Sequence, residues 1–331
     1  MRKCWSKRWS KSSNGPKKII SSMQVTEKCF DKVKKDCFKF IKSQETATEK
    51  FSNKDKMLKT FLIPICFWIV NKTNKKKPYF VGLAGGQGTG KTTISSILKI
   101  ILEKYFKLKV FKISIDDFYK TRKERFNLSK KIHPMLMTRG VPGTHDVQMM
   151  LNFFKKVKSK NFKKIELPDF NKAIDDRSAK KYWYKLKEKP DVIIFEGWCV
   201  GAKAELNKTL KKSINSLEKT NDQKFLWRNY VNKQLKTNYK KLYSQLNCMI
   251  YLKAENFSLL QKWRLKQEHK LWLKSKKSSS HKIMNKSDIL KFMQTYQRIT
   301  ENMFKKMPKY ASIVLNLNSN HQIKSAIYKK K

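Results

Sequence analysis

The sequence predicts an α/β protein with a doubly wound, mostly parallel sheet and helices on both faces. Two observations carry that expectation. Five short, apolar, β-branched runs, at 79–83, 109–115, 192–195, 248–252 and 313–317, are separated by long stretches of helical spacing. Strands that are apolar almost throughout need cover on both sides, and their alternation with helices supplies it. The second observation is a cluster of glycines just after the first run. Gly82, Gly85, Gly86, Gly88 and Gly90 account for half of the ten glycines in the chain and lead directly into Lys91 and Thr92.

Gly85, Gly86, Gln87, Gly88, Thr89, Gly90, Lys91 and Thr92 spell G-x-x-x-x-G-K-[ST]. Glycines at these places allow left-handed backbone angles and close approach, so that successive N–H groups wrap a phosphate. Lys91 is placed to reach the outer phosphates, and the Thr92 hydroxyl to ligate Mg²⁺. A merely flexible glycine turn is the bland alternative, and the flanks weigh against it. An apolar strand leads in, and Ile94, Ile97, Leu98 and Ile101 follow at helical spacing. Gly85 to Thr92, with Thr93 in the first helical turn, are therefore the candidate nucleotide-binding residues of a P-loop NTPase-type fold.

From the start of the chain, residues 1–22 are basic, carry no acid and are broken at Gly15 and Pro16. They read as a disordered or spurious extension, with an organellar transit peptide as the alternative. Residues 23–76 read as a helical segment, with Phe30, Val33, Cys37, Phe38 and Ile41 near helical period and 61–70 as a buried stretch. Residues 77–331 form the expected P-loop domain. The longest wholly apolar run is ten residues with Pro64 inside it, about half a membrane span. The six cysteines are scattered without zinc-like spacing. A soluble, cytoplasmic protein with reduced thiols is the expectation, with no membrane partner.

The formal net charge of +52 invites a nucleic-acid reading. Only nine of the 77 basic residues are arginine, and the lysines run along the whole chain rather than in one stripe. Arginine is the usual choice for bidentate reading of phosphates and bases, so no specific nucleic-acid partner is expected.

The run 109–115 ends in Ser114-Ile115-Asp116-Asp117-Phe118-Tyr119. Taken as neighbours on a strand, the two carboxylates point to opposite sides, and only one faces the phosphates. One reading is a base for the acceptor hydroxyl, the other a turn or helix-capping aspartate. The run 192–195 delivers Glu196, where a contact to Mg²⁺ or its waters is expected. Between them lie Arg139, Gly140, Gly143, Thr144, His145 and Asp146, then Phe170, Asn171, Lys172, Asp176 and Arg177. Arginines here suit bidentate recognition of an anionic acceptor, although a solvated loop explains any one of them. His145 lacks a second His or Cys at ligand spacing, so a metal role for it is not expected. In the helical stretch 256–273, Arg264 and Glu268 stand four apart. That is either a simple ion pair or a lid near 256–282 that brings Arg264 to the phosphate, with 274–282 as its serine-rich tip.

Taken in order, these strings resemble D-glycerate 3-kinase and its bacterial relatives, in the phosphoribulokinase and uridine kinase group of P-loop kinases. The resemblance runs from about Phe61 to the C-terminus. It rests on Gly85 to Thr92, Asp116 to Tyr119, Arg139-Gly140 with Gly143 to Asp146, Phe195 to Trp198, Trp227 to Asn232 and Trp263 to Glu268. It implies Asp116 as hydroxyl-activating base, with Lys91 and Arg264 as the other catalytic residues. It also implies His145, Asp146 and Arg177 on the acceptor side, where Arg139 and Lys172 are the further candidate cations for the acceptor's carboxylate. Uridine kinases carry Tyr-Asp where this chain has Phe170-Asn171, which counts against uridine.

The expectation is an ATP- and Mg²⁺-dependent kinase acting on a small hydroxy acid, D-glycerate first, with Thr92 and Glu196 organising the metal. A nucleoside or pantothenate-type kinase is the alternative within enzymes, and a P-loop ATPase without a small acceptor is the alternative outside that class. The absence of an Asn-Lys-x-Asp motif argues against a GTPase.

Overall fold

The computed structural model describes residues 23–46, 50–74, 77–275 and 285–329. The expected basic extension 1–22 and the lid tip at 276–282 lie outside the described residues. The five expected strands are all present: β1 (Tyr79–Gly85), β2 (Val110–Ser114), β3 (Val192–Gly197), β4 (Cys248–Lys253) and β5 (Ile313–Leu317). A sixth strand of the same sheet, β6 (Ile323–Tyr328), was not expected. The order across the sheet is β6-β5-β4-β1-β3-β2, parallel except for β6, which pairs antiparallel with β5. The edge strand escaped the sequence reading because its residues are half-buried or exposed and include Lys324 and Ser325. β1 lies at the centre of the sheet, so the glycine loop leaves from its middle.

Alternation along the strands decides which layer each side chain joins. Val81 and Leu83 of β1, Val192 and Ile194 of β3, and Ile250 and Leu252 of β4 face one core. That core is closed by α1 (Met23–Gln44), by α2 (Ile63–Val70) and by α3 (Lys91–Lys104). Phe80, Ala84, Ile193, Phe195 and Tyr251 face the other. There they meet α4 (Val147–Lys158), α5 (Leu226–Gln234) and part of α7 (Lys286–Lys306), while α6 (Phe257–Ser275) joins the first core through Leu260 and Trp263.

The helical stretch ahead of β1 is part of the main core. Cys29, Val33, Cys37 and Ile41 of α1 repeat near helical period and are fully buried, as are Leu58, Leu62 and Cys66. The Cys66 thiol reaches the Leu98 carbonyl of α3 at 3.8 Å. α1 and α2 thus cover the back of the helix that carries Lys91 and Thr92.

Residues 203–222 are pinned by buried arginines. Arg298 of α7 donates from Nε and Nη2 to the two carboxylate oxygens of Glu218, each at 2.7 Å. Arg228 of α5 pairs with Asp222 at 2.9 Å and donates to the Leu210 carbonyl at 2.6 Å. Both arginines and both acids are almost wholly buried, and such pairs hold only because charge and hydrogen bonds are both satisfied. The string Trp227 to Asn232, part of the family resemblance, is therefore a brace within the second core.

Because α1 and α2 share a core with α3, Leu62→Ala should destabilise the whole domain by about 2–5 kcal/mol, as expected for a fully buried leucine. Urea denaturation followed by fluorescence should show one transition moved to lower urea. A second, separate transition would show that residues 23–70 fold apart from the sheet.

Candidate active site

The register of the sheet assembles the site. Leu83 of β1 and Ser114 of β2 both lie level with Glu196 of β3, so three carboxyl ends converge within one step. Past Gly85 the chain turns, with Gly88 at φ +79° and Gly90 at φ +82°, before α3 begins at Lys91. Left-handed angles of this kind favour glycine. Gly86 and Gly88 are also constrained by packing. A Cβ on Gly86 would lie 2.3 Å from Leu260, and one on Gly88 would lie 2.9 Å from Trp263 Cβ and 3.3 Å from the Arg264 nitrogen. α6 therefore sits directly against the loop.

Thr92 Oγ1 donates to Glu196 Oε1 at 2.9 Å across 104 residues of chain. Lys91 Nζ donates to the Gly86 carbonyl at 3.0 Å, curling back over the loop. Burial lifts Glu196 above its ordinary value, against the pull of the Lys91 ammonium. The same burial lowers Lys91, opposed by Glu196 and Asp116. These charges hold one another in place. Glu196 offers a hard oxygen beside a hydroxyl, the donor type that suits Mg²⁺.

The two adjacent aspartates lie on a one-turn 3₁₀ helix, Ile115–Phe118, rather than on the strand assumed from sequence. That corrects the alternating geometry expected for them. Asp117 closes a capping box: its Oδ2 accepts from the Ser114 N–H at 3.1 Å, and Ser114 Oγ accepts from the Asp116 N–H at 3.2 Å. Asp117 thus fills the turn-capping role. Asp116 points away from that turn. Its Oδ1 accepts from the Tyr119 hydroxyl at 3.0 Å and its Oδ2 from Lys172 Nζ at 2.8 Å. Burial pushes Asp116 up, but the Lys172 ammonium and the Tyr119 hydroxyl outweigh it and hold the carboxyl below its ordinary value.

A short hairpin, Phe170–Asn171 paired with Asp176–Arg177, lies over this group. Phe170 is buried with its ring edge-on to Tyr119, centroids 5.1 Å apart, and Asn171 Oδ1 caps the turn by accepting from the Ala173 N–H at 2.9 Å. Lys172 extends from the hairpin to Asp116. Arg139 pairs with Asp175 and lies over the Phe170 ring, 5.5 Å from its centroid. Arg177 donates to the Tyr119 carbonyl at 2.8 Å and to Asp146 Oδ2 at 3.2 Å. Asp146 in turn caps α4 by accepting from the Met149 N–H at 2.9 Å. His145 is buried, stacked on Tyr119 and bonded through Nδ1 to the Tyr239 hydroxyl at 2.6 Å. Burial pushes its imidazole down to about 4, so it is neutral at physiological pH. Arg177, Asp146 and His145 thus brace the wall, whereas Lys172 and Arg139 lie nearer its open side. Arg264 Nη1 stands 2.6 Å from Glu268 Oε2, the simple pair expected as one alternative, but in a largely buried setting.

Sequence reading missed Tyr296 of α7. Its ring packs edge-on to Trp198, its hydroxyl lies where a Cβ on Gly140 would fall, at 2.2 Å, and Gln87 of the loop lies beside it. Trp198 Nε1 in turn donates to the Gly140 carbonyl at 2.9 Å. The glycine was the available signal, since Gly140 marks a place where a ring presses on the backbone.

No family model matches the chain. It is 30% identical over 228 residues to the uncharacterized kinase mug58 of Schizosaccharomyces pombe, covering 66% of this chain and 79% of that protein. The chain belongs to the D-glycerate 3-kinase-like P-loop kinases. It is an ATP-dependent kinase. The chloroplastic D-glycerate 3-kinase of Arabidopsis thaliana is 28% identical over 226 residues, covering 63% of this chain but only 47% of that protein. The solved D-glycerate 3-kinase of Cryptococcus neoformans superposes with a TM-score of 0.67 at 23% identity, covering 82% of this kinase and 97% of that chain, and shares its fold. No helix among the described residues is long and apolar enough to cross a membrane.

Burial raises Asp117 to about 7, with Asp116, Asp169 and Glu196 adding to the effect. Its ordinary value is 3.8. Between those values the folded metal-free protein holds a proton that the unfolded chain has lost, so stability falls as pH rises through this window. Asp117→Asn keeps an acceptor for the Ser114 N–H and removes the titration. The variant should therefore melt at a higher temperature than the parent at pH 8 and lose most of that advantage at pH 5. A difference in melting temperature that does not change between those pH values would contradict the assignment.

Proposed function

We propose that this kinase transfers the γ-phosphate of ATP to a hydroxyl of a small hydroxy acid, with D-glycerate as the first candidate. The observation that supports it most directly is the meeting of one carboxylate with two cations beside the phosphate loop: Asp116 in contact with Lys172, and Arg139 close enough to repel Lys172. A carboxylate near the γ-phosphate suits the acceptor's hydroxyl, and cations set to one side suit its acid group. The names of the relatives point to the same acceptor.

In the reaction, the loop from Gly85 to Thr93 cradles the phosphates and Lys91 offsets their charge. Thr92 and Glu196, already in contact, would hold Mg²⁺, which would supply neutralisation of phosphate charge. The acceptor oxygen forms a bond to the γ-phosphorus as the bond to the β,γ-bridging oxygen breaks. ADP leaves, and the hydroxyl proton passes to Asp116. Arg264, on the stretch of α6 that packs against Gly88, would reach the transferring group by exchanging Glu268 for it. Arg139 and Lys172 take the acceptor's carboxylate. Arg177, His145 and Asp146 hold the wall on which that pocket stands.

Pantothenate kinases match over about a third of the chain, one of them 31% identical over 121 residues covering 36% of this chain. Pantothenate also pairs an alcohol with a carboxylate, so it is the second acceptor to test. The location proposed is cytoplasmic, with an organellar address as the alternative.

Asp116→Asn keeps shape and hydrogen bonding but cannot take up the proton, and should lower kcat by roughly 10² to 10⁴ with the KM for ATP little changed. Asp117→Asn should do far less. A larger loss from Asp117 would exchange the two roles.

Arg139→Ala should remove one charge-assisted bond to the acid group, costing about 1.5–3 kcal/mol and raising the KM for D-glycerate by roughly tenfold to a hundredfold. Arg177→Ala should lower the melting temperature as well, because it releases Tyr119 and Asp146. Steady-state assays with D-glycerate and with glycerol distinguish the readings. Equal turnover of the acid and of the neutral alcohol would remove the hydroxy-acid assignment and leave the kinase.

A further inference from the structure

The contact between Lys172 and Asp116 has a property that substrate binding alone does not explain. Asp116 is the carboxylate proposed to accept a proton, yet its two oxygens each have a donor already: Tyr119 at 3.0 Å and the Lys172 ammonium at 2.8 Å. The two donors are held very differently. Tyr119 is buried, stacked on His145 and flanked by Phe170. The Lys172 side chain is 59% exposed, against 28% for Asp116, and reaches from the hairpin to the acid. The base of that hairpin is fixed, through buried Phe170 and through Arg177 bonded to the Tyr119 carbonyl. Lys172 is thus an exposed cation on an anchored support, resting on the group proposed to accept a proton.

We propose that the Lys172–Asp116 pair is a latch: while the two are in contact Asp116 is kept from activating water, and a hydroxy acid opens the pair by placing its hydroxyl against Asp116 and its carboxylate against Lys172. The inference rests on the reading of Asp116 as the proton acceptor. It adds a reason for an acidic acceptor that is independent of the cations' mere presence. An ammonium and a carboxylate in contact are the charge complement of a molecule that carries an alcohol and a carboxylate one or two carbons apart. When such a molecule inserts, each protein charge exchanges one partner for another. A neutral alcohol that parts the pair leaves the half-buried Asp116 without its counter-ion, and burying charge without compensation is costly.

The latch also guards the nucleotide. Water is small enough to enter wherever an acceptor does, and its attack on the γ-phosphorus forms one P–O bond, breaks the bond to the β,γ-bridging oxygen, and releases ADP and inorganic phosphate, with the proton passing to Asp116. A carboxylate already neutralised by an ammonium is a poor proton acceptor, so the closed pair suppresses this loss. Opening is tied to arrival of the acid, which then occupies the place water would take.

The test is ATP hydrolysis by the full-length protein with Mg²⁺ and saturating ATP and no acceptor. Lys172→Met keeps the stem and removes the charge, and because this side chain is largely exposed the fold is not at risk. Its hydrolysis should rise about tenfold or more over the parent, within the range that an unmasked general base supplies. Lys172→Arg restores the ion pair and should return hydrolysis to the parental rate. Adding Asp116→Asn to Lys172→Met should abolish the gain. Hydrolysis by Lys172→Met at or below the parental rate, or a gain that survives Asp116→Asn, overturns the latch. The two readings fail separately. If the parent phosphorylates a hydroxy acid but Lys172→Met hydrolyses no faster, the acceptor assignment stands and the latch falls. If no hydroxy acid is phosphorylated yet hydrolysis rises through Asp116, the latch stands as a guard and the acceptor assignment falls.

Discussion

The contact between Thr92 and Glu196 is the constraint on which the rest of the site depends. It joins the first turn of α3 to the end of β3, and it forms because the parallel register sets Glu196 level with Leu83 and Ser114. A buried carboxylate is tolerated there because the Lys91 ammonium faces it, and a buried ammonium is tolerated because of the carboxylate. Neither charge is stable alone in that place. The glycine loop is therefore set beside a carboxyl and an amine whose charges offset each other's burial, and a triphosphate enters a site already organised for charge.

Around that centre the structure separates rigid from adjustable parts. On the rigid side, α1 and α2 pack behind α3, so the helix bearing the phosphate-binding residues is backed along its length by apolar contact. α6 presses on Gly86 and Gly88, and Tyr296 fills the space left at Gly140. The residues on the adjustable side are charged and partly exposed, among them Lys172 and Arg139. Such a division suits a reaction in which the nucleotide must be positioned closely and the acceptor must enter, react and leave.

Local patterns were legible in the sequence, and long-range pairing was not. Five strands, the loop from Gly85 to Thr92 and the helix after it could be read because each is a contiguous string with its own periodicity. Glu196 could be placed because it follows an apolar strand in a chain that carries the loop. The choice between Asp116 and Asp117 could not be made, since it depends on a 3₁₀ turn whose capping box with Ser114 is fixed only once the strand ends. The partners of the acceptor-side cations were equally hidden. Arg139 meets Asp175 and Arg177 meets Asp146, each more than thirty residues away, and nothing in composition links them. Tyr296 read as one more aromatic on an amphipathic helix, and only the structure brings its hydroxyl to Gln87.

The most direct measurement of the central claim is the fate of the phosphoryl group. With Mg²⁺, ATP labelled at the γ-phosphate and D-glycerate, phosphorus NMR should show a phosphomonoester of the acid growing in step with ADP, with little inorganic phosphate. Inorganic phosphate as the sole labelled product, across hydroxy acids that include pantothenate, would contradict it.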